Sequence, residues 1–368
     1  MRPGRIAKSV SVPILVSTAA LFLIFTASAV VNEVRFALYL WAFRNTFRGV
    51  VFFYACVVYL RREDLTPIFD ALLFLQGISV VLAIYQHFIL GLNMDGTGGI
   101  FGHGNGAGVN PFNALLFSYF LNQYLAGRAS VGKLGFALIS SLVIAAIAEE
   151  KITFVYLLII ACVSVLLSKA SHRLIVAVIV AVAGGCLGLS ILKTMYPAMF
   201  DVMSSIDNME DYLTTSYETG YMLPRIGSFP IIQSLFFKHD VLRNLLGVGF
   251  GNGETSAFSF LIGPYYALYG YLNYRWFTHQ WVFLECGYVG FVFYLGFFLV
   301  IGLSLLSMRR KVERNMLSYL TCGFALAICT VISVWYNATL KVDMCYLPYF
   351  SLAIGFIATH SRQREALL

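Results

Sequence analysis

The chain has 368 residues, 59% of them hydrophobic and only 12% charged, and its mean hydropathy is +0.79. A soluble domain carries about 25% charged and roughly 45–50% apolar residues, so a single water-facing core cannot hide this much apolar surface. Lipid must solvate most of it, which excludes a soluble enzyme, a nucleic-acid binder and a disordered scaffold. The net charge of +7 does not revive nucleic acid, because the basic residues form short runs between apolar segments, not one patch. The cysteines (Cys56, Cys162, Cys186, Cys286, Cys322, Cys329, Cys345) lack CxxC or metal-ligand spacing and read as small buried hydrophobes.

A crossing helix needs about 20 mostly apolar residues. Ten segments qualify, near 12–31, 44–60, 68–90, 111–127, 133–149, 151–168, 172–195, 278–307, 316–335 and 343–360. The second is the weakest, since Arg44, Asn45 and Arg48 interrupt its outer end. With the N-terminus inside, the inner segments collect Arg2, Arg5, Lys8, Arg61, Arg62, Arg128, Lys133 and the run Arg309-Arg310-Lys311, so both termini are expected in the cytoplasm. Ala27-Ser28-Ala29 looks like a signal-peptidase site, yet nine further spans favour a retained first helix. The expected fold is an all-α polytopic membrane bundle. An N-terminal bundle (1–195, about seven spans) and a C-terminal bundle (278–368, about three spans) flank a large outer loop, 196–277. Apolar runs in that loop, Phe229-Pro230-Ile231-Ile232 and Leu235-Phe236-Phe237, predict a packed lid.

Candidate chemistry gathers on the outer side. Arg35, Arg44 and Arg48 defy the inside rule; they either snorkel to lipid phosphates or bind a phosphorylated substrate. The loop Gly96–Gly106 is glycine-rich, which allows close backbone approach to a ligand, and His103 and Asn105 would add polar contacts. A flexible turn would look the same. Lys151, after Glu149 and Glu150, opens the sixth span and suits an anion; a charged hairpin is the plain alternative. Arg225 begins an amphipathic stretch that contains Arg243 and ends in Leu246-Gly247-Val248-Gly249-Phe250-Gly251. No βαβ unit surrounds it, so it is not a dinucleotide fingerprint, and a surface helix closed by glycines is its bland reading. Finally, Arg275 and His279 would share a helical face, with Thr278 as N-cap and the helix dipole favouring an anion. A neutral imidazole beside an anion-binding arginine suits general-base work, although interfacial belts also use Trp, His and Arg. Glu285 lies deeper on another face and needs a partner or a cavity.

Taken in order, these features resemble the O-antigen polymerase and O-antigen ligase superfamily (Wzy- and WaaL-type proteins). The shared order is a polytopic bundle, an FGHGNGAG loop, a charged turn with Lys151, an outer loop with an arginine and LGVGFG, and a histidine opening a helix that continues ExGxxG. Similarity covers most of the topology and is sharpest over Phe101–Ala107, Arg225–Gly251 and His279–Gly290. The resemblance implies a metal-independent glycosyltransferase of the GT-C type, without cofactor, at the periplasmic face of the bacterial inner membrane. Its donor would be an undecaprenyl-diphosphate-linked glycan, and its partners a flippase and a chain-length regulator. Arg225 would match the family's diphosphate-engaging loop arginine, and His279 its junction histidine. Lys151 falls where the family has a basic residue after small polar ones, but here two glutamates precede it. The expected roles are deprotonation or positioning of a sugar hydroxyl by His279, and diphosphate stabilisation by Arg225 and Arg275 with Lys151 or Arg48. Polymerisation of repeat units is the preferred activity, because no basic surface for a phosphorylated lipid A core is evident. A ligase is the alternative. A lipid-linked sugar flippase or transporter is the non-enzyme rival.

Overall fold

The structure, a computed structural model, describes residues 10–93, 96–103, 106–169, 171–214 and 222–365. Every described element is helical. In chain order these are α1 (Val12–Val31), α2 (Phe36–Tyr59), α3 (Arg62–Ile84), α4 (Gly106–Leu125), α5 (Val131–Ile147), α6 (Lys151–Leu166) and α7 (His172–Met195). The outer loop contributes α8 (Pro197–Ser204), α9 (Ile206–Thr214), α10 (Ser228–Ile232), α11 (Val241–Leu246) and α12 (Pro264–Tyr269). The chain then forms α13 (Thr278–Met308), α14 (Leu317–Tyr336) and α15 (Tyr346–Glu365). Each of the ten apolar segments of the sequence is thus helical. Five helices, Val12–Val31, Arg62–Ile89, His172–Ile191, Thr278–Met308 and Arg314–Tyr336, are long and apolar enough to cross a membrane.

α13 packs on α14 and α1, α14 on α15, and α15 on α2, while α4 joins them through α14 and α6. The buried face of α1 shows why a helix suits this sequence: Ile14, Leu21, Phe25 and Ser28 recur at the 3.6-residue period. α2 begins at Phe36, well before the expected start at 44, so Arg44, Asn45 and Arg48 lie inside the helix. They are tolerated because polar partners meet that end: Asn45 is buried against Glu254 of the long loop, and Arg48 pairs with Asp343 in the turn between α14 and α15. The apolar runs of the loop enter the core as expected, with Ile232, Phe236 and Phe237 buried.

One expectation is corrected. The segment expected as a single span at 278–307 is broken at Gly287, whose φ of 61° and ψ of −163° are not helical. The break has a backbone cause. Val248 N–H and Gly249 N–H donate to the carbonyls of Leu284 and Glu285 at 2.9 and 3.0 Å, and the Ser28 hydroxyl adds a second donor to Glu285 at 2.8 Å. Those carbonyls serve the glycine-rich turn that follows α11, so both find donors where the helix is interrupted. Beyond Gly287 the remaining helix, at about 1.5 Å per residue, matches a hydrocarbon core of about 30 Å.

A Cβ on Gly287 would lie 2.6 Å from the Asn244 and Leu245 carbonyl oxygens, and one on Gly247 would lie 2.4 Å from the backbone of Glu285. Gly287→Ala should therefore lower the thermal stability of the detergent-solubilised protein. A backbone conformation open essentially to glycine alone costs another residue about 1–3 kcal/mol, and the clash adds to it. Gly296→Ala, with nothing near its Cβ, should melt like wild type; equal melting of both variants would contradict the packed break.

Candidate functional site

The outer loop returns to the bundle at residues 222–228, and the first turn of α13 fixes it there. Gln280 Nε2 donates to the Pro224 carbonyl at 2.8 Å, and His279 Nε2 lies 2.8 Å from the Arg225 carbonyl. His279 Nδ1 sits 3.3 Å from the Val334 carbonyl. The imidazole is 1% exposed and stacks on Trp335. Both ring nitrogens therefore face backbone acceptors, and the shorter contact holds the segment that carries Arg225. The Ser228 hydroxyl also lies 3.4 Å from Nε2, and a neutral imidazole donates from one nitrogen only, so the other keeps its lone pair. The 2.8 Å contact ties His279 to the backbone of the segment that carries Arg225.

The guanidinium of Arg225 is half-buried, with its carbon 5.1 Å from the ring centroids of Phe277 and of Tyr336. Flat rings against a guanidinium face confine it. Arg275 is placed differently from the expectation. Tyr274–Trp276 is a 3₁₀ turn and Phe277 is extended, so Arg275 and His279 do not share a helical face. Arg275 instead lies over Trp281, 3.9 Å from the ring centroid, with Tyr266 at 5.5 Å. Nor does Thr278 cap α13: its hydroxyl donates to the Asn337 carbonyl at 2.8 Å.

Trp281 receives a second cation, Lys341 Nζ, 4.0 Å from its centroid. Neither Lys341 nor Glu254 nor Trp281 is singled out as a site residue in the sequence. Lys341 pairs with Glu285 Oε2 at 2.8 Å and with Glu254 Oε1 at 3.5 Å, and all three side chains are fully buried. Glu285 Oε1 accepts from Gly251 N–H and Gly253 N–H at 3.1 and 3.2 Å, and Glu254 Oε2 accepts from Asn45 at 2.9 Å. Glu285 thus has the partner its depth demanded, and its oxygens are occupied by protein donors. The one signal in sequence was a lysine in a short outer turn, against the inside rule.

The other candidates scatter. Arg48 pairs with Asp343 and donates to the Lys341 carbonyl at 3.2 Å, so it holds the turn that carries Lys341. Lys151 lies 3.3 Å from Glu149 at the start of α6, where Glu150 is hydrogen-bonded by Asn110, which also takes the Thr153 hydroxyl. Asn110, Tyr156 and Asn337, with apolar neighbours such as Pro111 and Leu326, line a small cavity of about 20 Å³, room for one water. Asn337 connects it to the start of α13 through its carbonyl. His103 is exposed, with Nδ1 3.2 Å from the Gly96 carbonyl, and Arg243 is exposed on α11. Asn105 lies outside the described residues. Among the described residues no cluster of His, Cys, Asp or Glu could hold a metal ion. No protein-family model matches the chain, and no curated protein matches it at a significant level.

The ion cluster is open to a charge-counting test. Lys341→Met would leave two buried carboxylates without their cation, a loss of about 3–5 kcal/mol, read as a large drop in melting temperature and yield. Glu285→Gln leaves one ammonium with one carboxylate and keeps an amide oxygen for Gly251 and Gly253, so it should melt closer to wild type. The reverse order would contradict the pairing.

Proposed function

We propose that this chain is a metal-independent glycosyltransferase. It would join oligosaccharide repeat units carried on undecaprenyl diphosphate at the periplasmic face of a bacterial inner membrane. The observation that carries the reading is the clamped arginine. Arg225 sits at the mouth of the outer loop, its carbonyl held by His279 and its guanidinium between Phe277 and Tyr336. The motif order of the sequence points to the same chemistry. In the transfer, the acceptor hydroxyl oxygen bonds to the anomeric carbon, and the carbon–oxygen bond to the diphosphate breaks. The leaving diphosphate keeps that electron pair and a base takes the hydroxyl proton. The negative charge that develops on the diphosphate calls for preorganised cations. Arg225 is the first of these, and Arg275, held on Trp281, is the second. His279 acts through Arg225, as a positioning residue.

A lipid-linked sugar transporter is the second reading, favoured by one observation: a helix broken at Gly287 beside buried charges. The cluster at that break is closed on itself by Lys341, which suits a structural role better than a transport path.

The test is the surface glycan profile of a deletion strain complemented with variants of matched protein level. Arg225→Ala should reduce long polymer by about 10²-fold or more, the cost of removing one transition-state donor, and leave single repeats. A wild-type ladder from Arg225→Ala would overturn the proposal. A full ladder that stays on the lipid carrier in the deletion strain would assign a ligase, and repeats trapped on the cytoplasmic side a transporter. His279→Gln, whose amide can still donate to the Arg225 carbonyl, should retain polymer that His279→Ala loses. Equal loss in both would return His279 to the proton-transfer role.

A further inference from the structure

The outer loop contains a helix with its polarity reversed. In α11, Val241, Leu242 and Leu245 are 73%, 51% and 44% exposed. The polar Asn244 turns inward, donating to the Asp240 carbonyl and accepting from Gln233. A helix facing water would show the opposite pattern. Exposed aliphatic side chains concentrated on one short helix mark a surface meant for an apolar partner.

The position of α11 says what that partner is. Its C-terminal end abuts the break in α13, where a Cβ on Gly287 would touch Asn244 and Leu245. Beyond the break α13 presents Tyr288, Val292, Leu299 and Leu303 outward, at helical spacing and 40–63% exposed, the pattern of a lipid-facing stripe. α11 therefore lies level with the outer end of that stripe, where hydrocarbon gives way to headgroups. Basic side chains surround the aliphatic ones: Lys238 and His239 precede the helix and Arg243 lies within it, all exposed. The one acidic neighbour, Asp240, has a carboxylate oxygen spent on capping the helix at Arg243 N–H, 2.8 Å away.

We propose that residues 238–246 form an interfacial anchor in the outer leaflet. Val241, Leu242 and Leu245 sit among the acyl chains, and Lys238 and Arg243 lie against the phosphates of anionic lipids. The surface is separate from Arg225 and His279, and the inference stands apart from the enzymatic reading.

The experiment uses the full chain in lipid vesicles, with a fluorophore on Leu242→Cys after Cys162→Ser and Cys186→Ser remove the exposed cysteines. Lipids carrying a nitroxide near the headgroup should quench the label strongly, and aqueous iodide weakly. Strong iodide quenching with none from the nitroxide would overturn the anchor. Nitroxide quenching should be stronger in phosphatidylglycerol vesicles than in phosphatidylcholine, since each basic residue near an anionic surface is worth about fivefold in partition. Lys238→Gln with Arg243→Gln should erase that difference. Equal quenching in both lipids for the unmodified sequence would overturn the phosphate contact. Because Leu242 is exposed, its substitution leaves the packed face of α11 intact.

Discussion

The half of this molecule that carries the candidate site depends on one buried arrangement of charge, Lys341 between Glu285 and Glu254. Removing ions from water is costly, and the cost is recovered only if every lone pair and proton finds a partner. Here the partners come from far apart in the chain: Asn45 from α2, Gly251 and Gly253 from the glycine turn, Trp281 from α13. Satisfying Glu285 brings the turn onto α13. That contact engages the carbonyls of Leu284 and Glu285 and puts the backbone of α11 against Gly287, where no side chain fits. Charge satisfaction, the broken helix and the glycine turn are thus one structural fact.

How much of this was legible depends on the range of the cause. Apolar run length is local, so all ten segments could be read from the sequence, and each is helical. In the loop between α7 and α13 the same local signal finds Ile232, Phe236 and Phe237, which are buried, but it does not tell them from Leu235 and Val241, which stay exposed. Pairing is not local. Lys341 meets Glu285 across 56 positions, and no spacing rule reaches that far. The break at Gly287 was hidden because glycine is common in membrane helices and its conformation is imposed from outside the helix. Arg275 and His279 were placed on one face by assuming helix through Phe277, which is instead extended because Thr278 is drawn to Asn337.

At the candidate site the same contrast separates residue type from residue role. Arg225 and His279 could be singled out from the sequence, and they do meet. Sequence favours the imidazole as a base because histidine titrates near neutrality. The structure buries the ring against Trp335 with Nε2 2.8 Å from the Arg225 carbonyl and 3.4 Å from the Ser228 hydroxyl, so it clamps that segment to α13. A clamp has chemical value of its own. An arginine free to swing must lose that freedom when a charged group forms beside it, whereas one already fixed by its backbone and two rings has little left to lose.

The chain path joins these features. Arg225 lies at one end of the segment that runs through α10 and α11, and the glycine turn at Gly247 closes the other end against α13. The first end is held by His279 and Gln280, and the second by the carbonyls of Leu284 and Glu285. A segment fixed at both ends to one helix keeps a set height along that helix. The exposed aliphatic face of α11 lies level with the top of the lipid-facing stripe on α13. The first end engages residues 279 and 280 and the second engages residues 284 and 285, so about five residues of helix, roughly 7 Å, separate the two levels. The loop segment thus presents two surfaces at two heights on one helix, the guanidinium of Arg225 by the first turn and the aliphatic face of α11 by the break.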